Sequence, residues 1–325
     1  MSKNCPLICL AIILCFLSSS LEAESINCNV RHLNIAERLS NPHITGILVD
    51  KNGHLWVGTE SGLNRYDGDK FLTYDSLAIT GNRINSIIED SFGKLWVGTD
   101  EGLCSYNLSD DTFTTIWKGR INCILPTDEG LIFASGNSLF THNNGRITRH
   151  DSDELGDVIS IFSIQNNMYA VSRCGLCSFD GTQIRKISIS GLNGIIIAAE
   201  SFKDLIYLSI YQRGLLAIDT NGNIQKTYER ITDGVNIGVV CSIQGDVDQD
   251  RILLGTDGDG LCILDSLGIR HFKTDQVTES LPNTVTDIYI DPFENIYVGS
   301  SINGVYCIRP RVVSSYGEDN LSCKI

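Results

Sequence analysis

From Ile44 onward, apolar residues alternate with polar ones in short runs, and the runs come in sets of three. The set ITGILVDKNGHLWVGTESGLNRY, Ile44 to Tyr66, returns forty residues later as INSIIEDSFGKLWVGTDEGLCSY, Ile84 to Tyr106. In each set an alternating run passes through an Asp/Asn/Gly turn into a second apolar run ending Gly-Thr, and Gly-Leu opens a third. Alternation of period two, punctuated by turn residues, predicts antiparallel strands joined by hairpins. Recurrence of the whole unit predicts a repeat architecture.

Weaker copies follow, and the second-strand cores align at Leu55, Leu95, Leu131, Met168, Leu205, Ile252 and Ile296, with spacings of 40, 36, 37, 37, 47 and 44 residues. A four-stranded propeller blade takes roughly 40 to 50 residues, so the pattern predicts an all-β fold, a seven-bladed β-propeller. Val30 to Leu39 stands before the first set as Phe71 to Leu77 stands before the second, and reads as a fourth, outer strand without a blade of its own. The last set, VTDIYIDPFENIYVGSSINGVYCI, holds only three strands and ends near Pro310. An open ring would leave unpaired strand edges; the N-terminal strand is therefore expected to complete the last blade. The propeller is placed at residues 24–310, with a polar tail over 311–325.

The repeats are not uniform. The first two keep LWVGT and the last two LLGT and YVGS, whereas the middle three read IFAS, YAVS and YLS. Trp56 and Trp96 fall at one register position and are expected between blades, with the adjoining blade supplying the partner that a buried indole N–H requires. A glycine before each third strand (Gly62, Gly102, Gly175, Gly214, Gly260, Gly304) is expected at a tight turn.

At 325 residues the chain exceeds the usual domain size, but a propeller is one closed ring. A net charge of −14 and a pI near 4.8 argue against nucleic acid or anionic lipid as partners, because phosphate binding needs clustered Lys and Arg. Lys3, the apolar run Pro6 to Leu17 and the small residues Ser18, Ser19, Ser20 and Ala23 read as a secretory leader over residues 1–23, which implies a periplasmic protein. Beyond it no stretch is long and apolar enough to cross a membrane.

Of twelve cysteines, Cys5, Cys9 and Cys15 lie in that leader, leaving an odd nine. Cys104, Cys177, Cys262 and Cys307 recur just after the third strand begins and read as small hydrophobes packed between blades. Cys174 and Cys177 make a C-x-x-C without the second ligand pair that zinc requires. Cys28 and Cys323 stand outside the repeats, where ring closure would bring them to the same region of the last blade and an oxidising compartment would permit, without requiring, a bridge between them.

In an up-and-down blade the loop from strand two to three and the loop from strand four to the next blade emerge on one face. That face collects Glu60, Asp100, Glu101, Arg173, Tyr211, Arg213, Asp257 and Asp259 from one loop set, and His43, Arg83, Trp117, Lys118, Arg120 and Asn283 from the other. Single charges mixed with aromatics around a funnel suit a small polar ligand such as an oligosaccharide, stacked on Trp or Tyr and held by planar polar groups. The candidate ligand-binding residues are Arg83, Trp117, Arg120, Arg173, Tyr211, Arg213, Glu60, Asp100 and Asp257. The opposite face carries Asp50, Asp90, Asp291 and others in Asx-type hairpin turns, which read as structural. Asp246, Asp248 and Asp250 resemble the start of a calcium loop, but Arg251 occupies the position of its sharp-turn Gly. No catalytic motif, cofactor fingerprint or metal site is found; His43 with Glu60 or Asp100 is the sole acid–base pairing to suggest.

The repeat I-x-x-I-x-x-D-x-x-G-x-LWVGT-x-x-GL-x-x-Y resembles the two-component regulator propeller repeat of the periplasmic sensor region of hybrid two-component systems in gut Bacteroidota, over residues 30–309. The resemblance implies detection of oligosaccharides without turnover. The sequence holds one propeller and neither a membrane helix nor a kinase, so signalling would need a partner, a membrane-bound sensor kinase or a second propeller. A protein-interaction scaffold and a propeller lyase or glycan-cleaving enzyme are the competing readings. Stacked aromatics on the loop face would favour a ligand-binding module, a contiguous apolar rim the scaffold, and a close His/carboxylate pair in the funnel the enzyme.

Overall fold

A computed structural model describes residues 28–232, 234, 236–273 and 280–310. The leader, the C-terminal tail and Cys323, with its expected bridge to Cys28, lie outside the described residues. Seven four-stranded antiparallel sheets form the blades of a propeller. Their innermost strands are Ile44–Val49, Ile84–Glu89, Cys123–Thr127, Val158–Ile164, Ile196–Phe202, Val239–Asp246 and Val285–Ile290, numbered here as blades one to seven.

The ring closes through the N-terminus. Cys28–Leu33 pairs antiparallel with Val305–Pro310, in register from Cys28 opposite Pro310 to Leu33 opposite Val305, and becomes the outer strand of blade seven. This strand is shorter and earlier than the expected Val30 to Leu39. Asn34 caps a 3-10 turn, Ile35–Glu37: its side chain accepts the Ala36 N–H while the Glu37 carboxylate accepts the Asn34 N–H, and this reciprocal pair lifts the chain off the sheet. Cys28 is no tail residue either; it is fully buried between blades six and seven, beside Leu253 and Val298.

The apolar core lies between blades rather than within them. Trp56, Leu63 and Tyr74 of blade one pack against Ile84, Leu95, Cys104 and Tyr106 of blade two, and the same arrangement joins blade seven to blade one through Tyr297, Cys307, Ile44, Val57 and the closing Leu33. The four recurrent cysteines are all buried in these seams, as their spacing implied. Close approach explains the Gly of the Gly-Thr endings: a Cβ on Gly58 would stand 2.7 Å from Cγ2 of Ile84, and one on Gly98 2.6 Å from Cγ2 of Ile121. The glycine before the third strand is needed for its backbone only in part, since Gly62 (φ 122°) and Gly214 (φ 80°) are left-handed whereas Gly102 and Gly175 are not.

The expected source of the Trp partner is corrected. The Trp56 indole donates to Asp50 Oδ2 at 2.8 Å and Trp96 to Asp90 Oδ2 at 2.9 Å, each within its own blade. The other oxygen of each carboxylate accepts two backbone N–H groups of the hairpin turn, from Asn52 and His54 or from Phe92 and Lys94. One aspartate thus shapes the turn and fixes the ring six residues later. Asp291 repeats the device with the Tyr297 hydroxyl.

Candidate functional site

At the mouth of the central channel the loops of the first face surround a cavity of about 340 Å³. Its lining includes the charged Arg83, Arg120, Asp157 and Arg173, with His43 beside them. Beneath them a ring of seven side chains, one from each blade, forms the throat: Thr45, Asn85, Asn122, Ile159, Ile197, Cys241 and Thr286.

The ring has a structural cause. In six blades the pairing of strand one with strand two slips by one residue near the mouth, between Ile44 and Gly46, Ile84 and Ser86, Val158 and Ser160, Ile196 and Ala198, Val240 and Ser242, and Val285 and Asp287. The skipped residue of each bulge, Thr45 to Thr286 in order, is the one that lines the cavity. A bulge leaves its extra residue out of the ladder and re-aims its side chain. In blade three Asn122 does the same from just before the strand, its backbone N–H bonded to Ala134 O.

The polar members of the ring are tied in unequally. Asn85 Nδ2 donates to Ile121 O at 2.8 Å, and Asn122 Nδ2 to Val158 O at 2.8 Å and Asp157 Oδ1 at 2.9 Å, so both bridge to the next blade. Asn122 Oδ1, Thr45 Oγ1 and Thr286 Oγ1 are buried and have no hydrogen-bond partner among the described residues. Three polar atoms without partners at one throat are costly unless a ligand or solvent meets them.

Above the throat, Arg83 Nη1 lies 3.1 Å from Glu60 Oε1, which also faces His43 Nε2 at 3.8 Å. Arg173 Nε is 3.7 Å from Asp157 Oδ2. Arg120 is exposed and has no ion pair or side-chain hydrogen bond among the described residues. Asp100 accepts the backbone N–H groups of Asn82 and Arg83 at 3.0 and 3.2 Å and so holds the loop that presents Arg83. Deeper in the wall between blades seven and one, burial pushes the Asp287 carboxyl up to about 7, against the opposing effect of hydrogen bonds from the backbone N–H groups of Ile47 and Ile288.

Of the nine candidate residues, the structure brings Arg83, Arg120 and Arg173 to the cavity, with Glu60 and Asp100 directly behind Arg83. The others stand apart from it. Tyr211 is 48% exposed on the same face but does not line the cavity, and Arg213 Nη1 is engaged by Asn193 O at 2.8 Å. Asp257 accepts from Thr284 Oγ1 at 3.1 Å across an isolated bridge. Trp117 is half-buried and does not line the cavity: its ring packs 4.7 Å from Phe140 in the seam of blades two and three. The residues not foreseen are Asp157 and the bulge ring.

The remaining candidates also find places. Arg251 Nε binds Asp246 Oδ2 at 2.8 Å, occupying the first carboxylate of the calcium-like stretch, while Asp250 pairs with Lys203. Cys174 is exposed but Cys177 is buried, and desolvation raises its thiol, so the C-x-x-C does not present two sulfurs together.

Residues 38–61 and 78–101 match the model of the two component regulator propeller family. In these two stretches the chain is similar to the two component regulator propeller repeat. A 63-residue stretch, 19% of the chain, is 40% identical to 5% of "Histidine kinase P4" of Formosa agariphila. The solved "extracellular domain of the putative hybrid two component system BT3049 from B. thetaiotaomicron" superposes with a TM-score of 0.72 at 21% identity, covering 89% of this chain and 42% of that one. The chain therefore spans less than half of the length of either. The same fold is shared with virginiamycin B lyase from Staphylococcus aureus, at a TM-score of 0.69, 12% identity and 99% coverage of that chain. Among the described residues no helix is long and apolar enough to cross a membrane.

Proposed function

We propose that this chain is an exported ligand-binding propeller of the sensor type, which takes up a small polar ligand, an oligosaccharide, at the channel mouth and does not turn it over. The observation that carries this reading is the convergence of three arginines and three partnerless polar atoms on one cavity of about 340 Å³, while the acidic hairpins of the opposite face are closed on themselves. Guanidinium groups and side-chain oxygens are suited to the hydroxyls of a sugar. The leader-like N-terminus supports periplasmic export, and the repeats shared with sensor proteins support a partner that transmits the signal, a membrane-bound sensor kinase or a second propeller.

Binding is expected in the micromolar to millimolar range, because an open polar site must offset ligand ordering and desolvation with few contacts. A glycan array followed by calorimetry tests it. Arg173→Ala should weaken binding by about 1–3 kcal/mol with little change in melting temperature, as for a charged hydrogen bond lost from a loop. Binding untouched by that change and by Arg120→Ala would place the ligand elsewhere. A second reading, a propeller enzyme, is favoured by one observation, the His43–Glu60 approach of 3.8 Å; product release from any bound glycan, abolished by His43→Gln, would establish it.

A further inference from the structure

The cavity has two unlike halves. Residues that immediately precede the first buried position of each inner strand are, blade by blade, His43, Arg83, Arg120, Asp157, Ile195, Val239 and Thr284. At these seven positions ionisable residues stand over four consecutive blades, one to four, whereas Arg213, Asp257 and Asp259 of blades five and six lie at the outer loops of the same face and outside the cavity lining. The ring beneath shows nearly the same division: Thr286, Thr45, Asn85 and Asn122 are polar in blades seven to three, and Ile159, Ile197 and Cys241 are apolar in blades four to six.

In the lining itself cations exceed anions: Arg83, Arg120 and Arg173 stand with Asp157, while Glu60 and Asp100 lie behind Arg83, and Arg120 has no ion pair among the described residues. This excess stands on a chain whose net charge is −14, so a local positive field at the mouth is not a by-product of composition. An exposed guanidinium between two others, each already offset by one carboxylate, is a place for one further anionic group. Planar bidentate geometry makes a carboxylate the natural match.

We infer that the mouth takes an anionic saccharide, one whose ring carries a carboxylate, with the carboxylate on Arg120 between Arg83 and Arg173 and an apolar C–H face of the sugar toward Ile159 and Ile197. This rests on the proposed saccharide-binding function and narrows it. The cavity lies near the lower end of the range of roughly 300–1,000 Å³ for small-molecule sites, which suits one or two sugar rings.

Calorimetric titration of the protein with a hexuronate disaccharide, the neutral disaccharide of the same linkage, and sodium acetate separates the possibilities. The uronate is expected to bind at least tenfold more tightly than the neutral sugar, and acetate not measurably. Its affinity should fall as salt rises from 50 to 500 mM, the salt concentrations chosen because screening shortens from well over 10 Å toward a few Å between them. Arg120→Gln, at an exposed side chain, should cut uronate affinity about tenfold, a larger loss than for the neutral sugar, with the melting temperature unchanged. Equal affinity for both sugars would overturn the anionic inference and leave the saccharide reading standing. Acetate binding as well as the uronate would overturn it in favour of a bare anion site, and no binding of either sugar would remove both proposals.

Discussion

Replacing Asp50 with Ala tests the device that fixes the repeat. Asp50 Oδ1 accepts the N–H groups of Asn52 and His54, each at 2.9 Å, and Oδ2 accepts the Trp56 indole at 2.8 Å. The carboxylate side chain is 8% exposed and Trp56 is fully buried. Truncation therefore removes these three hydrogen bonds to a charged acceptor, together with the 3.1 Å contact of Oδ2 to His54 Nδ1, and strands a buried N–H, whose desolvation alone costs about 1–3 kcal/mol. The turn N–H groups can turn to water, so the total should come to about 3 kcal/mol. For a ring of this size, at about 2.1 cal/mol/K of unfolding entropy per residue, that is a fall in melting temperature of about 5 °C. Trp56→Phe alone loses part of the ring packing and the same hydrogen bond. In the double variant the stranded donor no longer exists, so the two costs should fall short of additivity by about 1–2 kcal/mol in a denaturant-unfolding cycle. Additivity within about 0.5 kcal/mol would refute the coupling, and with it the claim that one aspartate serves both turn and tryptophan.

Two further outcomes follow from the fold. A chain beginning at Asn34 lacks the closing strand; it exposes the edge Val305–Pro310 and loses the burial of Cys28 and Leu33, two side chains worth about 1.5–3 kcal/mol each, so it should melt lower and scatter light on heating. An unchanged melting temperature would mean that closure lies elsewhere. Asp287 gives a pH dependence: burial pushes its folded carboxyl up to about 7, above the ordinary carboxylate range, so the native state holds more protons than the unfolded chain between that range and pH 7 and stability falls as pH rises through the window. Asp287→Asn should flatten the profile and raise the melting temperature at pH 8, and a wild-type chain equally stable at pH 5 and pH 8 would count against it.

Much of the frame was legible in the sequence because it rests on positions that repeat. Strand cores such as Leu55 and Leu95, the Gly-Thr endings and the turn aspartates recur in register, and ring closure followed from counting three strands in the last set. The limits of the first strand were not legible, because a local contest between Asn34 capping and sheet pairing decides them. Trp117 looked like a loop aromatic; its strand, Thr112–Lys118, runs further than the repeat suggests and carries the ring into the seam with Phe140. The bulge ring left a signal that went unread. Buried positions in the inner strands fall three apart near the mouth, at Ile44 and Ile47, Ile84 and Ile87, Ile196 and Ala199, and Val285 and Ile288. A regular strand buries every second residue, so a spacing of three in an apolar run of strand length marks one residue out of the ladder.

That signal also says where specificity can vary without cost to the fold. The buried partners of each bulge are constrained by the neighbouring blade, as the contact between a Cβ on Gly58 and Ile84 shows, whereas the skipped residue and the one before the strand line the cavity or its loops, with Asn85 and Asn122 also bridging to the next blade. Fourteen positions, two per blade, therefore form a rim and a throat whose side chains, Asn85 and Asn122 apart, are less constrained by the seams. In this chain they carry charge on one side and apolar surface on the other, an asymmetry that seven like blades would not generate by themselves. Under the proposed function, ligand choice is accordingly written at the positions where the repeats differ, and stability at those where they agree.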